Sequence, residues 1–324
     1  MDWLLVASIK SFHLCQEIVE FVIRSGYKDQ PDLDEDGKPR LCRTTAVHKI
    51  AECHQSTSKI KVLENLFTIY DKFHVNYTDE SGSHFYMACK YGLDDVAEKF
   101  LEIGQDPNCL DPKTGNSILY FVAAKYLTYS NTSIILLLLK HGADPNQSNE
   151  DGTTPLHVIC QTYSFDHSVI SMLLESVDEL QQTVLINAQD KWGDTPMHLA
   201  LKDGNDIGAV QELLRRGANP NLANAKGQTP LHVICQRNGN DYMLKPFFDI
   251  CDEKRHPVLL NVRDNEGNTP LHLAVLCENA EMIESLLRRG VDPCLANAEG
   301  LTPLHILCEK NDESELVEAI LQDL

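Results

Sequence analysis

Two apolar rhythms alternate along the chain. In one, apolar residues recur at helical spacing, as at Val210, Leu213 and Leu214 or at Ile283, Leu286 and Leu287, so each stretch predicts a helix with one buried face. These stretches stop at Gly217 and Gly290, and glycine takes the left-handed conformation that closes a helix. The other rhythm opens with Gly-x-Thr-Pro-Leu/Met-His, which recurs at 152–157, 193–198, 227–232, 267–272 and 300–305. Its threonine predicts an N-cap whose oxygen accepts an orphan backbone N–H, and its proline fits the first helical position, where a missing N–H costs nothing. After the second helix come turn-forming strings such as Asp144-Pro145-Asn146, Asn219-Pro220-Asn221 and Asp292-Pro293-Cys294. The predicted unit is helix, turn, helix, then a hairpin-like finger.

Weaker copies precede the five clear ones: Thr45-Ala46-Val47-His48, Ser83-His84-Phe85-Tyr86 and Ser117-Ile118-Leu119-Tyr120, with tyrosine in the histidine position of the last two. Aligned as one column, His48, Tyr86, Tyr120, His157, His198, His232, His272 and His305 mark eight units of 33 to 41 residues. The second unit lacks one residue between Gly82 and Ser83, and the third has one extra between Asp111 and Gly115. A superperiod overlies the repeat, because 213–238 and 286–311 are nearly the same string. Within it the core alternates. Ala200/Leu201 and Ala274/Val275 follow His198 and His272, whereas Ile159/Cys160, Ile234/Cys235 and Leu307/Cys308 follow His157, His232 and His305, a swap that roughly conserves volume. The Ile/Cys units carry longer connections, 176–187 and 252–261, ending in Val184-Leu185-Ile186 and Val258-Leu259-Leu260. These triplets are predicted to tuck the loops back onto the stack.

Composition narrows the class of function. With 43% apolar and 23% charged residues, the 324-residue chain has ample material for a core. Its net charge of −20 repels phosphate backbones and anionic headgroups, which argues against nucleic acid and membrane surfaces as partners. The longest aliphatic run, Ile134 to Leu139, falls far short of the ~20 residues of a membrane helix, and the first residues lack the basic region of a secretory signal. Eleven cysteines, an odd number without short paired spacings, fit a reducing compartment, so a cytoplasmic or nuclear protein is expected.

Three His-x-x-Cys pairs, His157/Cys160, His232/Cys235 and His305/Cys308, invite a metal reading. In a repeat array they lie about two units apart, too far to share an ion, and each cysteine reads as a small buried apolar residue. No metal and no cofactor are expected. No glycine-rich phosphate loop, nucleophile elbow or zincin motif occurs in the chain, so no catalytic residue is assigned and a non-enzyme is expected.

Gly-x-Thr-Pro-Leu-His-x-Ala together with Leu-Leu-x-x-Gly-Ala-Asp-Pro-Asn resembles the ankyrin repeat, over residues 43–324. The resemblance implies an all-α solenoid of stacked helix-turn-helix units with short β-hairpin fingers. It also implies a monomeric, non-catalytic scaffold or adaptor that binds a protein partner on the concave face of finger tips and first helices. The contact positions it implies are Lys191, Trp192, Asp194, Lys202 and Asp203; Lys226, Gln228, Gln236 and Arg237; and Asn265, Glu266 and Asn268. Trp192 is one of only two tryptophans, at a turn tip, and tryptophan is enriched among interface hot spots. It reads either as a partner anchor or as a ring folded over the neighbouring finger. The string Leu138-Leu139-Lys140-His141-Gly142-Ala143-Asp144-Pro145-Asn146 is similar to the site that asparaginyl hydroxylases modify on ankyrin fingers, which makes Asn146 a modification candidate against a purely turn-stabilising role. An alternative within the same resemblance is the cytosolic domain of a larger assembly, such as a membrane channel or a ubiquitin-ligase substrate receptor; no F-box or SOCS-box segment of the ligase type is visible.

Residues 1–42 read as a divergent N-terminal capping repeat with a charged loop, and 43–324 as the array of about eight repeats. Residues 17–26 carry the second-helix pattern, Trp3, Leu4, Leu5 and Val6 supply a first helix, and 32–40 form a solvated, lengthened finger. Residues 313–324 fit a final second helix. Because the first three repeats depart most from Thr-Pro-Leu-His, the N-terminal third is expected to exchange its amide hydrogens faster than 193–305. Hydrogen-exchange mass spectrometry tests this, and uniform protection would contradict it.

Overall fold

A computed structural model describes residues 2–8, 12–52, 59–125, 132–161, 168–202, 207–237 and 242–309. Two compact units emerge, residues 1–150 with 176–182 and residues 151–175 with 183–324. Asp203 and the helix expected over 313–324 lie outside the described residues.

In the first unit the helices are α1 (Asp2–Ser8), α2 (Phe12–Arg24), α3 (Ala46–Glu52), α4 (Lys59–Ile69), α5 (His84–Lys90), α6 (Asp94–Glu102), α7 (Ile118–Lys125) and α8 (Thr132–Lys140). Helices α1, α3, α5 and α7 pack side by side, and each touches its following partner. The residue missing from the second unit leaves a tight hairpin, β1 (Thr78–Asp79) and β2 (Gly82–Ser83), with Asp79 opposite Gly82. Residues 32–40 form the lengthened finger, bridged at Leu33 and Pro39 and held by Asp34 Oδ1, which accepts from the N–H groups of Asp36 and Lys38.

His84 stands where later units have proline, and it is used differently. Its ring is buried among Phe67, Tyr70 and Tyr77, each edge-on at 5.3–5.7 Å, and its Nε2 lies 2.6 Å from Thr45 Oγ1. Beside it Tyr77 donates to Asp29 Oδ2 (2.6 Å) and Arg43 to Asp29 Oδ1 (3.1 Å), which gives the buried Asp29 carboxylate both a charge partner and a hydroxyl. Aromatic packing and this polar cluster replace the local Thr-Pro signal that these early units lack.

The second unit contains α9 (Pro155–Gln161), α10 (Ser168–Glu179, whose last turn groups with the first unit), α11 (Pro196–Lys202), α12 (Ile207–Arg215), α13 (Pro230–Cys235), α14 (Leu244–Glu253), α15 (Pro270–Leu276), α16 (Ala280–Arg288) and α17 (Pro303–Glu309). Helices α9, α11, α13, α15 and α17 form one row, with α12 packed on α14 behind them. Thr229 and Thr269 occupy extended N-cap positions with proline at the first helical residue, as the motif predicts. Apart from the β1–β2 hairpin, the described fingers contain no named strands. They are turns closed by backbone bonds such as Asn224 N–H to Gln228 O (2.9 Å) with Gly227 N–H to Asn224 O (2.9 Å), and Asp264 N–H to Asn268 O (2.9 Å) with Gly267 N–H to Asp264 O (2.9 Å).

The histidine column explains how units join. In each repeat the threonine N–H donates to the histidine Nδ1, at 3.2 Å for Thr154 and 3.1 Å for Thr195, Thr229 and Thr269. Nδ1 is therefore the unprotonated nitrogen, and Nε2–H donates forward to the carbonyl just before the next N-cap. The pairs are His157 to Asp194 O (3.1 Å), His198 to Gln228 O (3.0 Å), His232 to Asn268 O (3.1 Å) and His272 to Leu301 O (3.0 Å). His48 makes the same bond to Gly82 O (3.1 Å) within the first unit. One side chain caps its own helix and clamps the next finger.

Two expectations need correction. The triplet centres do not tuck in: Leu185 is 58% and Leu259 54% exposed. Polar anchors hold these loops instead, Asn221 Oδ1 accepting from Leu259 N–H at 2.8 Å, so no apolar burial is required. Cys160 and Cys235 are buried as expected, but Cys308 is exposed, as is His305, because no described element covers that side of α17.

Candidate functional site

The candidate site lies on the second unit, where finger tips stand beside the ends of α11 and α13. Each finger is built from an Asx turn. Asp190 Oδ1 accepts from the N–H groups of Trp192 and Asp194 (both 2.9 Å), and Asn224 Oδ1 does the same for Lys226 and Gln228 (both 3.0 Å). Neighbouring fingers are stitched by Lys191 N–H to Asp151 O (2.8 Å), Ala225 N–H to Trp192 O (2.8 Å), Asn265 N–H to Lys226 O (2.9 Å) and Ala298 N–H to Glu266 O (3.0 Å). The Trp192 backbone is thus bonded on both sides and only its ring remains to project.

That ring is 52% exposed and does not lie free. Lys191 Nζ sits 4.3 Å from its centroid and 2.5 Å from Asp151 Oδ1, so a carboxylate holds the ammonium and the ammonium holds the indole. Trp192 walls a groove of about 520 Å³ whose apolar floor is Leu199 and Val233, the residues after His198 and His232. Lys202, Lys226 and Gln236 also line it. An aromatic wall, an apolar floor and ammonium groups at the rim suit an apolar side chain of a bound segment.

Six of the sequence-derived positions, Trp192, Asp194, Lys202, Lys226, Gln228 and Gln236, meet in this groove. Asp194 is buried, its Oδ1 accepting from Asn224 Nδ2 at 2.7 Å and its Oδ2 3.9 Å from Lys202 Nζ. Asn268 is likewise buried, with its Oδ1 accepting from Asn297 Nδ2 at 3.1 Å. Both brace one finger against the next. Glu266 and Asn268 border a second groove with Leu276, Glu299, Ile306 and Glu309. Asn265 donates to Ala225 O (2.8 Å), Arg237 to Leu201 O, and Gln228 Nε2 to Gln236 Oε1 (3.4 Å).

Several groove residues escaped the sequence reading, among them the floor residues Leu199 and Val233, the rim glutamates Glu299 and Glu309, and Gln161 and Leu276. The last two show the pattern most plainly. They stand four places after His157 and His272, the offset that locates Lys202 and Gln236, so the signal was present in the period. Asn146 is half-buried, and its backbone N–H donates to Asp144 Oδ1 at 2.8 Å. Its counterpart Asn108 uses both amide atoms on the following unit, accepting from Asp144 N–H (2.7 Å) and donating to Gly142 O (3.2 Å).

The histidines are committed elsewhere. Burial lowers the pKa values of His48, His157, His198, His232 and His272, and that of His84 falls well below the ordinary value. Their rings are neutral clamps. Among the described residues no three His, Cys, Asp or Glu side chains converge as a metal set, and no helix is long and apolar enough to cross a membrane.

Residues 85–184, 120–208, 174–252, 202–297 and 238–324 match the family model described as ankyrin repeats (3 copies). The human transient receptor potential cation channel subfamily A member 1 is 34% identical over 133 residues, 41% of this chain and 11% of its own length. An E3 ubiquitin-protein ligase of Arabidopsis thaliana, KEG, is 26% identical over 308 residues, 90% of this chain and 17% of the relative. This chain thus spans less than a fifth of either relative. Among solved structures, the ankyrin repeat domain of Bcl-3 superposes with a TM-score of 0.59 at 21% identity, over 73% of this chain and 97% of that domain, which shows a shared fold. With helix pairs stacked through Thr-Pro-Leu-His caps and a family model matching from residue 85 to the last residue, the chain belongs to the ankyrin repeat family.

Proposed function

We propose that this chain is a non-catalytic scaffold or adaptor that grips a protein partner on the finger and first-helix face of its second unit, with Trp192 as anchor. The observation that carries the reading is the half-exposed Trp192 ring, held in place by Lys191 above a groove with an apolar floor. An aromatic residue ordered before binding loses little entropy on capture, which is why such residues dominate interface energetics. Of the contact positions, Lys202, Lys226, Gln228, Gln236, Asn265, Glu266 and Arg237 act as the surrounding rim, while Asp194 and Asn268 act through the finger geometry they maintain. The reading further takes the protein to be a monomer of the cytoplasm or nucleus.

Affinity capture with the full chain and with Trp192→Ala and Lys191→Ala tests it. Trp192→Ala should weaken a specific partner by about 30-fold, the scale of a hot-spot truncation of ~2 kcal/mol, and Lys191→Ala should do so more modestly by freeing the ring. Equal recovery by all three would remove Trp192 as the anchor. A second reading, that the repeats serve as the ankyrin region of a larger assembly, draws on the small share of the channel and the ligase that this chain matches. An immunoblot of native extract decides between them: a species near 36.4 kDa supports the self-contained adaptor, and a far larger one the assembly.

A further inference from the structure

The two grooves on the finger face of the second unit differ in the charge they present. At the first, the carboxylates of Asp190 and Asp194 are buried, and their oxygens serve finger N–H groups, Asn224 and, at 3.9 Å from Asp194 Oδ2, the Lys202 ammonium, whose side chain still reaches solvent. What reaches solvent is cationic: Lys202, with its side chain 59% exposed, and the exposed Lys226. At the second groove the order inverts. Glu266, Glu299 and Glu309 are exposed around Leu276 and Ile306, and among the described residues that line it there is no lysine or arginine. One Glu266 oxygen accepts from Asn268 Nδ2 (3.2 Å), which orients that carboxylate at the mouth.

Resting on the binding-module reading above, we infer that the partner presents an extended, charge-segregated peptide segment: acidic residues flanking an apolar side chain over the Trp192 groove, and basic residues flanking another over the Leu276 groove. Each half supplies an apolar residue for a floor and charges opposite to the rim, the arrangement that sets register and rejects mismatched partners. The span follows from the stack. The grooves are offset by two first-helix rows, α11/α13 against α15/α17, or roughly 16–20 Å at ordinary interhelical spacing, which an extended chain covers in about five or six residues. A phosphate polymer does not fit, because the glutamates of the second groove would repel it.

The test uses three labelled peptides with the full chain in fluorescence anisotropy. One joins a Glu-Phe-Asp-Glu block to an Arg-Leu-Lys-Arg block through a short Gly/Ser spacer; one mixes the same residues evenly; one is uniformly acidic. The block peptide is expected to bind about ten-fold tighter than either other, with an advantage that shrinks as salt rises from about 0.05 to 0.5 M. Lys202→Gln with Lys226→Glu, both at exposed positions, should erase that advantage, with circular dichroism of the double variant checking that the helical fold is kept. Equal affinity for block and mixed peptides, no binding of the block peptide at about 1 mM, or an unaltered preference in the double variant would overturn the inference. A partner captured through Trp192 alongside any of those outcomes would leave the binding-module reading standing, whereas loss of Trp192 dependence with block preference intact would sink the anchor alone.

Discussion

Acidification from about pH 7.5 to about pH 5.5 is expected to destabilise this protein, well before its carboxylates titrate. Six buried histidines, His48, His84, His157, His198, His232 and His272, have pKa values lowered chiefly by burial, which disfavours the charged ring. Nearby Asp79, Asp190, Asp194 and Asp264 and the carbonyl acceptors oppose that shift at individual sites without reversing it. The sign follows from linkage. Each folded-state pKa lies below the unfolded value near 6.5, so the unfolded chain binds more protons as pH falls, and the stability present above pH 6.5 is lost progressively below it. At pH 5.5 a histidine that stays neutral in the folded protein costs at most about 1.4 kcal/mol. Relief of self-repulsion within a chain of net charge −20 works the other way, but it sets in nearer the carboxylate pKa values around pH 4. Urea unfolding at pH 7.5, 6.5 and 5.5 should show a falling midpoint with proton uptake on unfolding, and a flat profile over that range would refute the prediction.

Gly267→Ala is expected to cost about 3 kcal/mol, against about 1 kcal/mol for Gly290→Ala, although both glycines have positive φ, +78° and +84°. The shared left-handed backbone accounts for the smaller figure. The difference comes from space: a Cβ on Gly267 would stand 2.5 Å from Ala298 N and 3.0 Å from Asn297 C, whereas one on Gly290 meets nothing within 4 Å. The first contact is backbone against backbone, so no side chain can rotate away. The neighbouring fingers must separate, which strains the Ala298 N–H bond to Glu266 O. Denaturant midpoints compare the two variants, and faster exchange of the Ala298 amide in Gly267→Ala locates the damage. Equal losses would show that φ alone governs both sites.

Both predictions rest on contacts between units, and this is where the limits of sequence reasoning fall. The Thr-Pro caps, the second-helix stripes and the helix-closing glycines were all legible because each acts within a few residues of itself. The finger period also carried the right offset for Lys202, Gln236, Gln161 and Leu276, whereas the floor residues Leu199 and Val233 read as ordinary first-helix core positions. What failed was judgement of side-chain environment. Asp194 and Asn268 sit at positions that read as contact residues, yet the asparagine amides that bond them, Asn224 and Asn297, arrive from the next finger, some thirty residues on. Leu185 and Leu259 read as apolar tucks, yet both are exposed, and at Leu259 it is the backbone N–H that a distant asparagine, Asn221, holds.

By itself the sequence determined the repeating element of this protein: where each helix starts and stops, the unit length and the acidic balance, all encoded in local caps, periodicity and composition. The tertiary structure alone decided how the elements are joined and what they present. It aimed each histidine Nε2 at the next finger's carbonyl, placed Lys191 and Asp151 so that Trp192 stands as a wall, and turned buried carboxylates inward at one groove while leaving glutamates outward at the next. The physical reason is one of range. A cap or a helical stripe is satisfied by neighbours in the chain, whereas burial, charge presentation and the tautomer of a shared ring depend on groups that only stacking brings within a few ångströms.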